Sequence, residues 1–295
     1  MATLTNVNDK IIAQRALEGF TEYLHPMNLF STSYSDETKM KGDTIIVPLV
    51  GTLTATTFNQ DYQVGGGTLT AVTINLNVHK IVPLSLTDVQ FANSSVAQLE
   101  KWGFQAGQAL ATAITQHVFS YVTSGSPSFF ATAYTYPVAS WNVSRIVTVR
   151  QAMTTAKVPL ENRSLFLDPT SYAQTLADSN LSYAMYAGSN GALTTGQVPR
   201  VYGFDVRESN LIPTTDTMYG FACHPSALAL AIRALAPQAP SAYESAGIVT
   251  NPGTGAALGM RRHYQPSNGT HYLNFEAIFG ATYGITAGLQ RIAFR

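Results

Sequence analysis

Residues 95–122 read SVAQLEKWGFQAGQALATAITQHVFSYV and constrain the architecture more than any other part of the chain. Apolar residues recur in this stretch every three or four positions, which predicts one long amphipathic helix. They are Val96, Leu99, Trp102, Ala106, Leu110, Ile114, Val118 and Tyr121. At 1.5 Å per residue such a helix extends about 40 Å. Gly103 and Gly107 leave it narrow, so other backbone can approach it closely, and its length makes it the spine of a large domain.

Two helix starts are predicted just before this spine helix. Thr87 with Gln90, and Ser95 with Gln98, each have the spacing of a capping box. In that arrangement a hydroxyl and an amide side chain bind backbone N–H groups that the helix leaves free.

A pattern of period two precedes the helix starts. Residues 43–49 predict a strand that the Thr-rich residues 52–58 continue, and residues 72–79 alternate strictly between apolar and polar side chains. Together they predict a long β-hairpin with the glycines of 65–67 at its tip. Because a two-stranded ribbon is marginal alone in water, its apolar stripe must be covered, and a neighbouring subunit is a good candidate.

The first residues predict an arm. Residues 8–24 have apolar side chains at helical spacing, and Pro26 ends the pattern. We interpret residues 1–34 as an arm that packs on something larger.

The remainder alternates helices and strands and then becomes β. In chain order, we expect a helix near 142–157, a buried strand over 164–167, a short helix after Asp168-Pro169, a loop over 187–199, strands over 201–208 and near 218–223, a helix or turn from Ser226, a second loop over 241–259, and strands over 260–264 and 272–279. Asn268-Gly269 between the last two strands is a strong hairpin signal. Trp102, Leu110, Ile114 and Val118 should pack against this hairpin through Leu273, Phe275 and Phe279.

The composition favours self-association and excludes several functions. The chain of 295 residues has 17 basic and 17 acidic residues, and only 12% are charged. Phosphate neutralisation requires excess basic residues, so a sequence-reading nucleic-acid protein is excluded, whereas a neutral, charge-poor surface promotes association. The single cysteine excludes a disulfide framework or a Cys-rich metal site. No secretory signal or membrane span is recognisable, so we expect a chain that folds in a cytoplasm.

No catalytic, cofactor-binding or metal-binding residue is predicted. Cys223 and His224 are an adjacent nucleophile and base, but neighbours on a strand point to opposite faces. A buried thiol beside a capping or loop histidine is therefore favoured over a soluble hydrolase. His117 is interpreted as a packing histidine and Arg261-Arg262 as solvated or paired with carboxylates. The glycines at 253, 255 and 259 lack dinucleotide-binding spacing and indicate a flexible loop.

The order of elements resembles the major capsid (coat) proteins of tailed bacteriophages, with the Hong Kong 97-like fold. Residues 41–48 (KGDTIIVP) are similar to the start of that family's extended loop, in which Gly42 and Pro48 would bound the first strand. Residues 158–163 (VPLENR) with 165–169 (LFLDP) resemble its axial-domain strand. Residues 203–213 (GFDVRESNLIP) resemble the following strand and turn, where Ser209-Asn210 stops the strand.

The resemblance implies an α+β fold with a definite division of the chain. The parts are an N-terminal arm (1–34), an extended β-hairpin loop (35–85), the spine helix with the first part of a peripheral domain (86–140), an α/β axial domain (141–240) and the returning peripheral strands (241–295). It implies no enzyme activity, since subunits of this family assemble rather than catalyse. We assign no set of residues to the inter-subunit Lys–Asn cross-link of some members.

The resemblance also implies a function and partners. Pentamers and hexamers of the chain would close an icosahedral shell, part of the virion, around double-stranded DNA without sequence-specific contact, after synthesis and assembly in the host cytoplasm. A portal protein and a separate scaffolding protein are expected partners, the latter because only about 34 residues precede the ribbon, and a decoration protein is a further candidate. An encapsulin-type nanocompartment shell is the alternative, with a soluble hydrolase as a more distant one.

Overall fold

A computed structural model describes residues 7–24, 44–50, 69–123, 131–179, 196, 198, 200–213, 217–236, 243–251 and 257–293. The helices are α1 (Val7–Tyr23), α2 (Asp88–Asn93), α3 (Val96–Ser120), α4 (Val143–Thr155) and α5 (Pro169–Ala177). The strands are β1 (Thr44–Val50), β2 (Leu69–Asn75), β3 (Val78–Thr87), β4 (Ala131–Thr135), β5 (Arg163–Leu167), β6 (Phe204–Glu208), β7 (Met218–Cys223), β8 (Leu228–Arg233), β9 (Ser245–Thr250), β10 (Ala257–Gln265), β11 (Thr270–Tyr283) and β12 (Leu289–Ala293). The α+β class expected from the sequence is confirmed.

The predicted spine helix is α3, and both predicted helix starts are confirmed. The Ser95 side chain accepts a hydrogen bond from the backbone N–H of Gln98 (3.3 Å) and begins α3. Thr87 and Gln90 form a complete capping box at the start of α2. Local sequence therefore sets where these helices begin.

The first sheet carries α3 and α1 on one face. Its strand order is β3-β11-β10-β9, and β8 also pairs with β11. All these pairings are antiparallel, and the 14-residue β11 is the central strand. A helix layer on an antiparallel sheet buries one face of each element.

The core between α3 and β11 is the one that the sequence predicts. Leu110, Ile114 and Val118 are completely buried. They belong to one cluster with Leu273, Phe275 and Phe279. Trp102, also expected in the buried stripe, packs against this cluster but is only partly buried.

The backbones of α1 and α3 lie close together because α3 has glycine at the contact positions. A side chain at Gly107 would overlap the carbonyl group of Ala16, and a Cβ at Gly103 would lie 2.8 Å from the carbonyl oxygen of Ile12. Ala16 and Phe20 of α1 are completely buried. The expected arm helix is confirmed, and the larger element on which it packs is the spine helix of its own chain.

The second sheet has the order β4-β12-β7-β5-β6; one set of its side chains joins a second core, and Phe166, Phe221 and Leu289 join the core under α3. All five residues of β5 are buried, as the sequence predicts. The Asp168 side chain caps α5 by accepting from the backbone N–H of Ser171 (3.1 Å), with Pro169 in the first turn. Strand β6 begins at Phe204 rather than at residue 201, because Tyr202 and Gly203 have positive φ angles (48° and 87°) and form a turn. It ends before Ser209, as expected.

The predicted ribbon is β1 paired with β2, but its apolar base is covered by the chain itself. Ile45 and Ile74 are buried and cluster with Ala229 and Ala231 of β8. The expected need for a neighbouring subunit was therefore wrong for this part of the stripe. The alternation over 72–79 is split between β2 and β3, which belong to different sheets.

Several other expectations need correction. Pro48 lies inside β1 opposite Ala71 rather than at its end, and proline fits there because β1 has a free edge among the described strands. The turn expected at Ser226 is present as a short 3₁₀ turn, but the strand β8 that follows it was not expected. Residues 241–259 contain β9 and the start of β10, and β12 was not anticipated. Gly42, the ribbon tip and most of 187–199 lie outside the described residues.

Candidate functional site

Cys223 is a structural thiol. It ends β7 and is completely buried in the core beneath the spine helix. Burial alone raises the pKa of this thiol far above its usual value. Because the thiolate is the nucleophilic form of cysteine, Cys223 has no reactive form near neutral pH.

His224 caps a turn rather than activating Cys223. Its Nδ1 atom lies 2.8 Å from the Ser226 hydroxyl oxygen and accepts a hydrogen bond from the Ser226 backbone N–H (3.3 Å). Partial burial, and then the charge of Arg163, lower the pKa of His224. The interpretation as a buried thiol beside a capping histidine is confirmed, and the hydrolase alternative is not favoured.

Arg261 and Arg262 are both paired with carboxylates, as one of their two interpretations predicts. Arg262 lies between Asp9 of α1 (3.0 Å) and Glu244 (3.1 Å). Arg261 lies 2.5 Å from Glu276. Asp9 is only 2% exposed and ties α1 to β10, a role that sequence reasoning missed because 253 positions separate it from its partner.

Glu276 is a buried carboxylate that joins three strands. Its Oε1 atom faces Arg261 of β10, and its Oε2 atom lies 3.1 Å from Nε2 of His79 in β3. A Cβ at Gly259 would lie 2.9 Å from the Glu276 side chain. Gly259, which was expected in a flexible loop, lies in β10. Because it has no side chain, it leaves room for this ion pair.

Arg163 fastens the segment after α4 to the second sheet. This buried guanidinium donates to the carbonyl oxygens of Pro159 (2.8 Å) and Val158 (2.6 Å) and to the hydroxyl of Thr154 (3.2 Å). Burial, and then the charge of Arg150, lower its pKa. Each of its three nitrogens donates a hydrogen bond within the chain, so Arg163 has a structural role.

Replacing Arg163 with methionine is expected to lower the free energy of unfolding by about 1–3 kcal/mol, because buried carbonyl groups lose their donors. Chemical denaturation of the unassembled subunit measures this loss. Arg200→Met is the matched control, since Arg200 is exposed and donates one bond to Gly203. Equal losses in the two variants would contradict the role of Arg163.

His117, a residue of the spine helix, packs against aromatic side chains as expected, but one of its ring nitrogens has no hydrogen-bond partner among the described residues. Its ring lies edge-on to Tyr121 and Phe279, with ring centres 5.3 Å from each. The buried Nε2 atom has no hydrogen-bond partner among the described residues. Burial, and then the charge of Lys80, lower the pKa of His117, so the neutral ring is the folded form.

Acidification is therefore expected to destabilise the subunit. The folded-state pKa of His117 lies below its unfolded value of about 6.5, so its contribution is present above that pH and is lost as the pH falls through the folded pKa. Denaturant melts between about pH 7.5 and 5 should show a smaller dependence on pH in His117→Gln than in the unmodified chain. An identical dependence in both would contradict this role.

The described part of the chain shows neither a metal cluster nor a membrane helix. No group of three or more His, Cys, Asp or Glu residues there could hold a metal ion. Likewise, no helix in that part is long and apolar enough to cross a membrane. The cysteine, histidine and arginine side chains described above are used for packing and pairing.

Comparison with known structures shows which folds this one resembles. The fold is similar to that of a protein of Mycobacterium phage Che8 (18% identity, 91% of this chain and 90% of that chain, TM-score 0.65). It is also similar to the capsid structure of cyanophage P-SCSP1u (14% identity, 90% and 86%, TM-score 0.62) and to a virus-like particle from Pyrococcus furiosus (9% identity, 95% and 97%, TM-score 0.56). No curated protein is similar in sequence.

A family model identifies the protein family of the chain. Residues 80–247, more than half of the chain, match the model described as phage capsid protein. This stretch contains the spine helix and most of the second sheet. The chain therefore belongs to the phage capsid protein family.

Proposed function

We propose that the chain assembles into pentamers and hexamers that close an icosahedral shell, with the β1–β2 ribbon as a main contact between subunits. The supporting observation is the ribbon base. One of its faces is fastened to β8 through Ile45 and Ile74, whereas Ile46 on the other face is 62% exposed. A fixed base that presents an exposed isoleucine on its other face is suited to contact a neighbouring copy.

The assignment of residue ranges to the parts of the subunit belongs to the same proposal. Residues 35–85 form the extended loop, residues 141–240 form the axial domain, and residues 86–140 with 241–295 form the peripheral domain. The arm, residues 1–34, packs on the spine helix through α1. One cluster of buried residues lies within residues 141–240 except for Ile292, which supports the axial domain.

The proposed partners are a portal protein, a separate scaffolding protein and a decoration protein, with double-stranded DNA enclosed in the shell. Assembly takes place in the host cytoplasm. Contact with DNA is expected to be independent of sequence, because the chain has no excess of basic residues and Arg261 and Arg262 are occupied by carboxylates. The encapsulin-type alternative is not favoured, since the family is that of phage capsids.

Deletion of residues 59–67 tests the ribbon. We expect a soluble subunit that keeps most of its secondary structure but forms few closed shells, because the deletion removes contact surface and leaves the two sheets intact. Circular dichroism and sedimentation velocity measure these two properties on one sample. Normal shell formation by the variant would contradict the proposed role of the ribbon.

A further inference from the structure

We propose that two charged surfaces bind each other between neighbouring copies of the chain. One is an acidic surface around Asp88 and Glu244, and the other is a basic surface around Lys157 and Arg200. This inference rests on the proposed function and deepens it, because it names a contact that would link the subunits of a pentamer or hexamer. Such rings are closed by head-to-tail contacts, in which each subunit uses two different surfaces.

The acidic surface is held in place by side chains of the first sheet and of α2. Arg262 of β10 lies 3.1 Å from Glu244, and its guanidinium lies 5.0 Å from the ring centre of Phe91. Phe91 stacks on His271 (ring centres 4.5 Å apart), and His271 lies 3.3 Å from Asp88. These contacts join Glu244 and Asp88 into one surface, on which their side chains are 43% and 55% exposed.

This cluster of charges is negative. The buried Asp9 also faces Arg262 (3.0 Å), so three carboxylates face one guanidinium and one imidazole. The cluster keeps a negative charge whether or not His271 is protonated. Two acidic surfaces would therefore repel each other, and the complement of this surface is a basic one.

Two exposed apolar side chains lie close to Asp88 along the chain. Helix α2 has no buried residue, and its Val89 is 70% exposed. Val96, the first residue of α3, is 40% exposed. A partner that covers these valines would remove apolar surface from water, which stabilises association.

The basic surface lies at the end of the second sheet where β5 and β6 begin side by side. Arg150 donates a hydrogen bond to the carbonyl oxygen of Tyr202 (2.6 Å), and Arg200 donates to that of Gly203 (3.3 Å). Both guanidinium groups are therefore held at one turn. Arg200 uses its Nε–H group in this bond, so its two Nη groups can bind a carboxylate.

The cations at this end of the sheet outnumber the carboxylates. Burial, and then the charge of Arg150, lower the pKa of Arg163, so these two charges act on each other. Three of the cations form no ion pair with a carboxylate among the described residues, namely Arg150, Lys157 and Arg200. With Arg163, four cations thus lie at this end together with two carboxylates, Glu161 and Asp205.

The backbone holds Lys157 and Tyr202 in uncommon conformations. Their φ angles are 59° and 48°, in the left-handed region that residues other than glycine rarely adopt. Such strain persists where the surrounding structure fixes it, and it clusters at functional sites. Tyr202 is 46% exposed and Leu160 is 54% exposed, so the basic surface has apolar side chains of its own, as the acidic surface does.

A second copy is the occupant that these two surfaces favour. Each surface combines accessible charges with exposed apolar side chains, and the sign of the charge is opposite on the two surfaces. Opposite charges across an interface steer association and disfavour wrong partners. The enclosed DNA is the rival occupant of the basic surface, and the test below separates the two.

Cross-linking tests the contact directly. Val89→Cys and Leu160→Cys are combined in one full-length chain, and a short bis-maleimide is added to the purified protein. The native Cys223 is completely buried, which protects it from the reagent. We expect a ladder of cross-linked multimers on a denaturing gel, and only monomers from each single variant. The control Val89→Cys/Val147→Cys, whose second cysteine replaces an exposed valine of α4, should give no ladder.

Charge reversal tests the ion pairs of the contact. Lys157→Glu/Arg200→Glu and Asp88→Lys/Glu244→Lys should each lower the yield of closed shells about tenfold at low salt, because like charges then face each other. Both pairs of reversals in one chain should restore the yield to within about twofold of that of the unmodified chain, as expected for residues that interact.

A matched control uses two other exposed carboxylates. Glu18→Lys/Glu22→Lys reverses charges on α1 and should not restore the yield when it is joined to Lys157→Glu/Arg200→Glu. Circular dichroism of each subunit checks that it is folded before the yields are compared. A reversal variant that does not fold is replaced by its neutral counterpart, Asp88→Asn/Glu244→Gln or Lys157→Gln/Arg200→Gln, which should lower the yield in the same direction.

The outcomes separate this contact from the proposed function. Equal ladders from the test and control cysteine pairs, or full shell yields in both reversal variants, would overturn the contact and leave the shell function intact. An unchanged shell yield in Lys157→Glu/Arg200→Glu, with weaker binding of a DNA fragment to that subunit, would identify DNA as the occupant and would also overturn it. A ladder from a chain that forms no closed shells would support the contact and contradict the shell function.

Discussion

Truncation of Leu110 or Ile114 to alanine is expected to lower the free energy of unfolding of the unassembled subunit by about 2–5 kcal/mol, the range for buried aliphatic side chains. Both residues are completely buried between α3 and the first sheet, so each truncation leaves a cavity that the surrounding core can fill only in part. This loss is a large fraction of a typical domain's stability. The variants should therefore express poorly or aggregate before any assembly defect can be measured.

Lys101→Ala is the matched control on the same helix. Lys101 is exposed, so its truncation should change the free energy of unfolding by less than about 0.5 kcal/mol. Thermal melts of the unassembled subunits compare the three variants directly. Equal tolerance of Leu110→Ala and Lys101→Ala would show that α3 does not bury this face.

Replacement of Gly107 by valine is the second change with a large expected effect. A side chain at this position meets the backbone of Ala16, which cannot move aside as a flexible side chain could. Overpacking of this kind costs about 1–3 kcal/mol and occasionally more. We expect α1 to leave the surface of α3, which would expose Ile12 and Phe20 to water.

Hydrogen exchange of residues 7–24 measures this release, with a large loss of protection expected in Gly107→Val. Ala109→Val places the same side chain two positions away on an exposed part of α3 and should leave protection of α1 unchanged. Retained protection in Gly107→Val would mean that α1 is held by other contacts, the Asp9–Arg262 ion pair among them.

The elements that the sequence predicts correctly are those with a local cause. Helix α3 has a long apolar period and a serine cap, β5 contains the apolar run Leu165–Leu167, and the hairpin between β10 and β11 turns at Gly269, which has a positive φ of 57°. Each of these signals is contained in a few neighbouring residues. The family resemblance then supplied the order in which the elements pack.

The elements that were missed depend on distant partners. Strand β8 has the sequence LALAIR and is buried at its first four positions, so it shows no alternation between apolar and polar residues. Ala229 and Ala231 cover the ribbon base, although nothing near them in the sequence indicates this role. Small residues on a buried strand can be interpreted as helix, strand or turn until their neighbours are known.

The ion pairs could not be predicted from the sequence for the same reason. His79 and Glu276 are 197 positions apart, and Asp9 and Arg262 are 253 apart. A sequence shows that such residues exist but not which of them meet across a sheet.

The central claim is that this chain is a shell-forming subunit, and the most direct measurement is sedimentation velocity of the purified protein combined with negative-stain electron microscopy. The account predicts closed particles tens of nanometres across, far larger than any small oligomer of a 31.7 kDa chain. A stable monomer at all concentrations, with an enzymatic activity that is lost in Cys223→Ser, would contradict it.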